Sequence, residues 1–187
     1  RQVTENEHGV SVVTDGGTER AAAVIIAAGP WAAQLLPELA PLLTVTRQVQ
    51  AWMAPSGGVD AATMPCWLLD REPGRPAIYG LAPDPLAATD PTSPARYPKV
   101  ALHGSDVVVD PDAGAASVSD ADIDRLREPY TALAPALAGE LVEAATCLYT
   151  MSPDEHFLVG TRRGCTRTHF AAGLSGHGFK LSPALGD

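Results

Sequence analysis

The residues of this chain that could do chemistry are concentrated in three short segments. One carries Lys99 and His103, four positions apart, with Tyr79 upstream. A second contains Cys147, and a third is the run Ser-Gly-His-Gly-Phe-Lys at 175–180. Because residues i and i+4 of a strand share a face, Lys99 and His103 can project into one pocket. A cysteine, a lysine and a histidine are suited to nucleophilic, electrostatic and proton-transfer chemistry.

The run at 175–180 follows the apolar segment Phe-Ala-Ala-Gly-Leu, which predicts a strand, a tight glycine turn and the start of a helix. Glycines let the backbone approach a flat ligand closely, and the first N–H groups of a helix point at that ligand. Lys180 would then lie in the first helical turn, where its charge opposes the positive end of the helix. That position indicates an anionic partner, and the alternative is a lysine on a helix surface.

Each of the other candidates also has a purely structural interpretation. Cys147, like Cys66 and Cys165, can be a buried cysteine, since free cysteine is among the most buried residue types. Lys99 can be a solvated lysine and His103 a turn residue, while Tyr79 can pack in the core as a strand aromatic. In the run Asp-Glu-His at 154–156, neighbouring side chains would point in opposite directions along a strand. We therefore predict a turn with capping roles there.

Composition excludes several classes of protein. The chain has 187 residues, of which 45% are hydrophobic and 19% charged, as in ordinary soluble domains. Its net charge of −9 and the absence of a basic run argue against nucleic-acid binding. The apolar runs are too short for a membrane span, and no secretory signal is visible. Three widely spaced cysteines predict reduced thiols in the cytoplasm, and no Cys or His pair has the spacing of a metal site.

The pattern of apolar and turn residues predicts a mixed α/β chain with an antiparallel middle. A hairpin turn is expected at 15–17, with a returning strand over 20–28 whose apolar end suits burial on both faces. The clearest helix is expected over 119–134, capped by Ser119 or Asp120 and distorted by Pro129. The Pro- and Ala-rich stretch 82–98 is expected to be an exposed loop. Further strands are predicted over 10–14, 43–52, 66–69, 77–81, 99–103, 141–150, 157–159 and 168–172.

Taken in order, these segments resemble one known family. The run Val-Ile-Ile-Ala-Ala-Gly-Pro-Trp at 24–31 is similar to the second FAD-binding strand and glycine turn of the monomeric sarcosine oxidase and N-methyltryptophan oxidase family. This family lies within the D-amino-acid-oxidase fold group. Arg-Gln-Val at 47–49 resembles its entry into the substrate domain. Tyr79 with Gly80, the Lys99 and His103 pair, and the segments 147–157 and 173–180 follow in family order.

The resemblance implies a role for each matching residue. Cys147 would form a thioether to the 8α-methyl of FAD. Lys99 would promote reaction of reduced flavin with oxygen, and His103 and Tyr79 would lie near the bound amino acid. Lys180 would bind the substrate carboxylate. The remaining cofactor contacts implied are Ala28, Gly29, Trp31, Gly176, His177 and Gly178, the last three forming the turn against the flavin pyrimidine edge.

The implied fold is part of an FAD-binding Rossmann-like domain, residues 1–43 and 143–187, with an antiparallel substrate domain, residues 44–142. The implied activity is oxidation of an N-methyl amino acid, with O2 reduced to H2O2, by a full-length protein that is monomeric. Two features depart from the family pattern: the G-x-G-x-x-G fingerprint and an arginine-bearing segment are missing. Both chain ends also look cut, so we expect a C-terminal fragment that is inactive by itself.

Three alternatives stay open at this point. The first is an oxidase or dehydrogenase of the same fold with another amino-acid substrate. The second is a non-catalytic domain that has lost the cofactor. The third, a thiol enzyme using Cys147 with a histidine, has no local sequence support.

Overall fold

The computed structural model describes residues 2–56, 63–114 and 116–186. The chain divides into two compact units. Unit 1 comprises Arg1–Thr46, Val108–Pro111 and Leu148–Asp187, and unit 2 comprises Arg47–Val107 and Asp112–Cys147. The domain boundaries expected from the sequence, at 43/44 and 142/143, stay a prediction.

Unit 1 contains two three-stranded sheets. The first is an antiparallel meander of β1 (Gln2–Asn6), β2 (Gly9–Thr14) and β3 (Gly17–Ala21). The second has the order β10-β11-β4, formed by β10 (Leu158–Thr161), β11 (Thr168–Ala172) and β4 (Val24–Ile26). β11 pairs antiparallel with β10 and parallel with β4.

The single strand predicted over 20–28 is wrong. The structure has two short strands there, β3 and β4, which belong to different sheets. Burial on both faces is also wrong, because the Ile25 side chain is 73% exposed. Little of the described chain packs over the sheet face that bears Ile25, and β4 is also an edge strand with β11 as its only neighbour among the described residues.

A five-stranded sheet of order β6-β7-β8-β5-β9 organises the middle of the chain. Its strands are β5 (Thr44–Ala54), β6 (Trp67–Leu69), β7 (Ala77–Leu81), β8 (Lys99–His103) and β9 (Glu140–Met151). The pairings of β6 with β7, β7 with β8, and β8 with β5 are all antiparallel. The predicted strands over 77–81 and 99–103 are confirmed residue for residue.

One face of this sheet packs on α2 (Asp120–Leu133), the main helix of the chain. Ile78 and Val100 are fully buried against Leu126 and Tyr130, and the Tyr130 ring stacks on Trp67 with ring centroids 6.1 Å apart. Burial of that phenol raises its pKa to about 12. Fully burying side chains of this size contributes about 1.5–3 kcal/mol each, so this cluster holds the sheet in place.

The start of α2 is fixed by a capping box. The Ser119 hydroxyl accepts the N–H of Asp122, and the Asp122 carboxylate accepts the Ser119 N–H. The same carboxylate receives both terminal nitrogens of Arg47 at 3.0 and 3.2 Å, which together with the Ser119 bonds holds its pKa far below the usual value. Arg47 is buried, so this pair joins the helix to β5 as well as capping it. Of the two caps expected from the sequence, Ser119 is the one used, and Pro129 lies buried within the helix.

Several smaller expectations are settled by the structure. The stretch 82–98 contains two short 3-10 helices, Pro85–Thr89 and Pro94–Arg96. The other short helical segments are Gly29–Trp31, α1 (Ala32–Leu35), Pro37–Leu42, Pro111–Ala113, Phe179–Leu181 and α3 (Ser182–Gly186).

All three cysteines are free thiols, but Cys66 is exposed, so a buried position is wrong for it. Within the described ranges, no helix is both long and apolar enough to cross a membrane.

Candidate functional site

The second face of the five-stranded sheet carries three of the predicted site residues. Tyr79 lies directly opposite Ala101 in the pairing of β7 with β8, so the two side chains share a face. Lys99 and His103 lie two residues to either side of Ala101 and therefore point the same way. The structure thus brings Tyr79, Lys99 and His103 together on the face opposite the one that packs on α2. We call this the site face.

Tyr79 and His103 are in edge contact. Their ring centroids are 6.4 Å apart with planes at 73°, a T-shaped arrangement that aromatic rings prefer. Both side chains are half-buried. Tyr79 is not part of the buried cluster that packs on α2, to which the neighbouring Ile78 belongs from the other face.

Gly80 leaves room for an aromatic ring on the reverse side of β7. A Cβ there would lie 2.5 Å from the Trp67 ring, well inside van der Waals contact. The absence of a side chain lets Trp67 lie flat across β7 and reach Tyr130. The site face is therefore supported by an aromatic layer on the opposite side of the same strands.

Cys147 lies on β9 and is half-buried. Burial raises the pKa of its thiol, while the positive charge of Lys99 acts in the opposite direction. A thiolate is the nucleophilic form of cysteine, so a nearby cation favours its reactivity. The electrostatic influence of Lys99 on this thiol is a relation that the sequence spacing of 48 residues does not suggest.

The other predicted site residues lie in unit 1, at the ends of two neighbouring parallel strands. β4 and β11 run parallel, with Val24 opposite Thr168 and Ile26 opposite Phe170. Their carboxyl ends consequently reach the same edge of the sheet, and residues 27–31 and 173–178 follow there. In open α/β sheets, ligands bind outside the carboxyl ends of the parallel strands.

The segment after β4 contains the predicted contacts Ala28, Gly29 and Trp31. Gly29 has φ +52°, a left-handed conformation that favours glycine, and a Cβ built there would have nothing within 4 Å. The Ala28 carbonyl accepts the Trp31 N–H at 3.1 Å and closes the turn. Trp31 is 42% exposed. This turn therefore presents an open surface beside a backbone bend.

The segment after β11 is more tightly constrained. Gly173, Ser175 and Gly176 all have positive φ, at +58°, +49° and +77°. A Cβ on Gly176 would overlap the Tyr149 ring, and one on Gly178 would lie 2.6 Å from Leu174. The glycines are thus required by close packing as well as by the backbone turn, and a tight turn after the strand is confirmed.

The His177 side chain makes contacts within the same unit. Its Nε2 lies 3.0 Å from the Glu155 carbonyl oxygen, and its ring centroid lies 4.8 Å from that of Phe157. These contacts tie the turn at 173–178 to the turn at 152–156. In that second turn Asp154 accepts the His156 N–H, which confirms the capping role predicted from the sequence.

A helical segment begins near Lys180, as the sequence predicts. Residues Phe179–Leu181 form a 3-10 turn that leads directly into α3 at Ser182. Lys180 lies in this first turn, which has 3-10 rather than α-helical geometry, and its interaction with the helix end stays a prediction. Its side chain is exposed, and the neighbouring Phe179 is 94% exposed.

Sequence reasoning assigned no role to two serines of this region. Ser152 and Ser175, 23 positions apart in the sequence, are buried and joined through their hydroxyls. Polar residues in turn-like segments are ordinarily exposed, so a single sequence offers no signal for such a pair.

In unit 1, two glycine turns lie at the carboxyl edge of parallel strands, an arrangement that fits a dinucleotide. Unit 2, considered by itself, has a free, half-buried thiol on β9 and a lysine and a histidine on one sheet face, residue types that fit a flavin. Among the described residues no group of three acidic, histidine or cysteine side chains is arranged to hold a metal ion.

Comparison with known proteins identifies the family. The family model described as FAD dependent oxidoreductase, DAO, matches residues 1–187. Monomeric sarcosine oxidase of Streptomyces avermitilis is 32% identical over 183 residues, which are 96% of this chain and 46% of that protein. N-methyl-L-tryptophan oxidase of Yersinia pestis is 31% identical over 186 residues, covering 99% of this chain and 47% of that protein. The chain therefore spans about half the length of the curated relatives it matches.

Solved structures show the same fold. NikD, described as an unusual amino acid oxidase essential for nikkomycin biosynthesis, superimposes with a TM-score of 0.71 at 24% identity, over 99% of this chain and 48% of NikD. Glycine oxidase from Geobacillus kaustophilus gives a TM-score of 0.70 at 20% identity, over 99% of this chain and 45% of that one. The mixed α/β fold and the family resemblance predicted from the sequence are both confirmed. This chain belongs to the DAO family of FAD-dependent oxidoreductases.

Proposed function

We propose that this chain is the C-terminal half of a flavin oxidase that acts on N-methyl amino acids such as sarcosine. The observation that carries the proposal is the single sheet face shared by Tyr79, Lys99 and His103, with the charge of Lys99 acting on Cys147. The sarcosine and N-methyltryptophan oxidases, at about 30% identity, support the substrate class.

Cys147 and the two glycine turns would hold FAD, which would supply the redox chemistry of the reaction: oxidation of the carbon next to the substrate nitrogen and reduction of O2 to H2O2. The imine product takes up water and separates into the amine and formaldehyde. The protein's own residues would bind and orient the substrate. Tyr79 and His103 would contact the amino acid, and Lys180 would pair with its carboxylate through a charge-assisted hydrogen bond.

Lys99 would supply positive charge during oxygen reduction, when negative charge builds up on oxygen. Cys147 would hold the cofactor through a thioether. We further propose that Ala28, Gly29, Trp31, Gly176, His177 and Gly178 contact the cofactor. We also propose a cytoplasmic, monomeric full-length protein.

Full activity would require a further segment like the one that makes the relatives about twice as long. The missing glycine fingerprint is the feature expected in such a segment.

The covalent attachment is tested on denaturing gels of the full-length protein. Yellow fluorescence should migrate with the polypeptide, disappear in Cys147→Ser, and persist in the matched variants Cys66→Ser and Cys165→Ser. A colourless full-length protein would instead support a non-catalytic domain.

The reaction is tested by following flavin bleaching without oxygen. N-methyl amino acids should bleach the flavin. D-amino acids and cyclic amino acids form a competing panel, tested in the same way. Bleaching only by the competing panel would favour a same-fold oxidase with another substrate, a function carried by the amino acid oxidase NikD and by glycine oxidase.

The chain's two lysines give a matched pair of variants. Lys99→Met should leave bleaching by substrate intact and slow reoxidation by O2 by about 100-fold, the size of effect expected from removing one preorganised charge. Lys180→Met should raise KM for the carboxylated substrate and leave reoxidation unchanged.

A further inference from the structure

We infer that Ser152 and Ser175 form a hydroxyl clamp that positions the turn at 173–178 toward the cofactor. The inference rests on the proposed function for what the turn faces, and on the structure of unit 1 for the clamp itself. Neither serine contacts a group assigned to the reaction, so both are positioning residues.

The backbone at Ser175 has a conformation that is unusual for a residue other than glycine. Glu155 and Ser175 are the non-glycine residues with positive φ in the described chain, at +62° and +49°. Left-handed backbone costs a non-glycine residue about 1–2 kcal/mol, and glycine would adopt it freely. Gly173 and Gly176, on either side of the Leu174–Ser175 pair, do so. A serine at this position is therefore favoured only if its hydroxyl is used.

The Ser175 hydroxyl has two backbone partners. It accepts the Ser152 N–H at 3.2 Å and donates to the Gly173 carbonyl at 3.1 Å. Its own N–H donates to the Thr150 carbonyl at 3.0 Å. Ser175 is 1% exposed, so these bonds are made without competition from bulk water.

The Ser152 hydroxyl completes the link to the facing turn. It donates to the His156 carbonyl at 2.6 Å and lies 3.3 Å from the Ser175 hydroxyl oxygen. Each hydroxyl has one proton, and both protons have a nearby carbonyl acceptor. The two oxygens are thus held side by side by the backbone groups of two turns.

The same two turns meet again at His177. The carbonyl that its Nε2 approaches belongs to Glu155, the other residue with positive φ, and Phe157 packs on its ring. The turn at 152–156 therefore holds the turn at 173–178 from both ends. The N–H groups of the turn at 173–178 therefore have fixed directions before any ligand binds. Fixed N–H groups of this kind stabilise developing charge most effectively.

The first measurement is hydrogen exchange of the backbone amides in the full-length protein. In Ser175→Ala the Ser152 N–H loses its acceptor, and we expect exchange about tenfold faster there and across 173–178. Ser152→Ala should accelerate exchange across the same turn. Ser11→Ala on β2, in the same unit, is the matched control and should exchange as the unmodified protein does.

Ser175→Gly separates the hydroxyl from the backbone strain. It removes the hydroxyl and relieves the positive φ, so a clamp predicts faster exchange in this variant too. It also keeps the experiment decisive if Ser175→Ala does not fold. Exchange in Ser175→Gly that matches the unmodified protein would overturn the clamp.

The second measurement is the dissociation constant for sulfite. The sulfur lone pair of sulfite forms a bond to N5 of oxidised flavin, and the electron pair moves to the pyrimidine half of the ring as negative charge. We expect about tenfold weaker sulfite binding in Ser175→Ala, Ser175→Gly and Ser152→Ala, because misdirected N–H groups stabilise that charge less.

The two measurements fail in different ways. Faster exchange with unchanged sulfite binding would overturn the positioning role, because the turn would then not act on the cofactor. An unmodified full-length protein that carries no flavin would overturn the proposed function, while the exchange comparison would still decide whether the two serines form a clamp.

Discussion

The site face of the five-stranded sheet and the turn at 173–178 hold their candidate residues by opposite means. Tyr79, Lys99 and His103 are placed by regular strands whose reverse side is buried against α2. Gly176 and His177 are placed by left-handed backbone, buried hydroxyls and close ring contacts. Apolar burial is non-directional and tolerates small changes, whereas the turn depends on a few directional contacts.

The two regions are therefore vulnerable at different kinds of residue. On the sheet, a candidate side chain can be replaced without disturbing the strand that carries it, because the strand is held from the other face. In the turn, His177 is expected to meet the ligand and also holds the backbone through its contact with the Glu155 carbonyl. Four predictions, in order of decreasing effect, test this difference.

The sheet should be most sensitive on its buried side. Leu126→Ala removes a fully buried side chain from the cluster beneath the site face and should lower the free energy of unfolding by about 3 kcal/mol. Denaturant unfolding of the purified protein measures the loss. The matched variant Leu86→Ala, at a position 87% exposed, should change it by less than about 0.5 kcal/mol. Equal losses for the two leucines would contradict a sheet held by this core.

The turn should be sensitive at Gly176 itself. Gly176→Ala adds a Cβ against the Tyr149 ring at φ +77°, and we expect a loss of about 2 kcal/mol from strain and overlap combined. Gly16→Ala, in an exposed hairpin turn without positive φ, is the control. An unchanged unfolding midpoint for Gly176→Ala would show that the turn can move aside.

A substitution at the cap of α2 should destabilise the support of the sheet by a smaller amount. Ser119→Ala removes one acceptor of the capping box and should lower the unfolding free energy by about 1 kcal/mol. Because Asp122 also keeps its bonds to Arg47, the helix should still form. Far-ultraviolet circular dichroism would report a lost helix. Such a loss would contradict a helix start that is held both by the capping box and by Arg47.

The smallest effect is a pH dependence in unit 1. Glu5 on β1 accepts the N–H groups of Thr166 and Arg167 and the Thr168 hydroxyl, and these bonds lower its pKa from 4.5 to about 2. A depressed carboxyl pKa stabilises the folded state at pH values above the unfolded pKa, and this contribution is lost as pH falls toward the folded pKa. The unfolding midpoints of the unmodified protein and Glu5→Gln should therefore differ above pH 4.5 and converge near pH 2. A difference that stays constant with pH would rule out this linkage.

Much of the sheet could be predicted from local pattern. Alternation and flanking turn residues placed β7, β8 and β11 at their observed bounds, and the four-residue spacing put Lys99 and His103 on one face. The prediction over 20–28 was wrong because apolar character alone does not reveal which neighbours a strand has, and β4 is an edge strand among the described residues. The helix start predicted near Lys180 forms with 3-10 geometry in its first turn, and α-helical geometry begins only at Ser182.

By itself the sequence determined the mixed α/β class, the strand carrying Lys99 and His103, and the glycine turn after β11, because these depend on residues close together in the chain. It also determined the family, because the order of several short motifs along the chain can be recognised without any knowledge of their contacts. Only the tertiary structure decided that Tyr79 joins that strand face, that Lys99 acts on Cys147, and that Ser152 and Ser175 meet in the interior. These relations join residues 20 to 48 positions apart. They depend on sheet order, register and backbone dihedral angles, which arise from the packing of the whole chain and leave no local trace in the sequence.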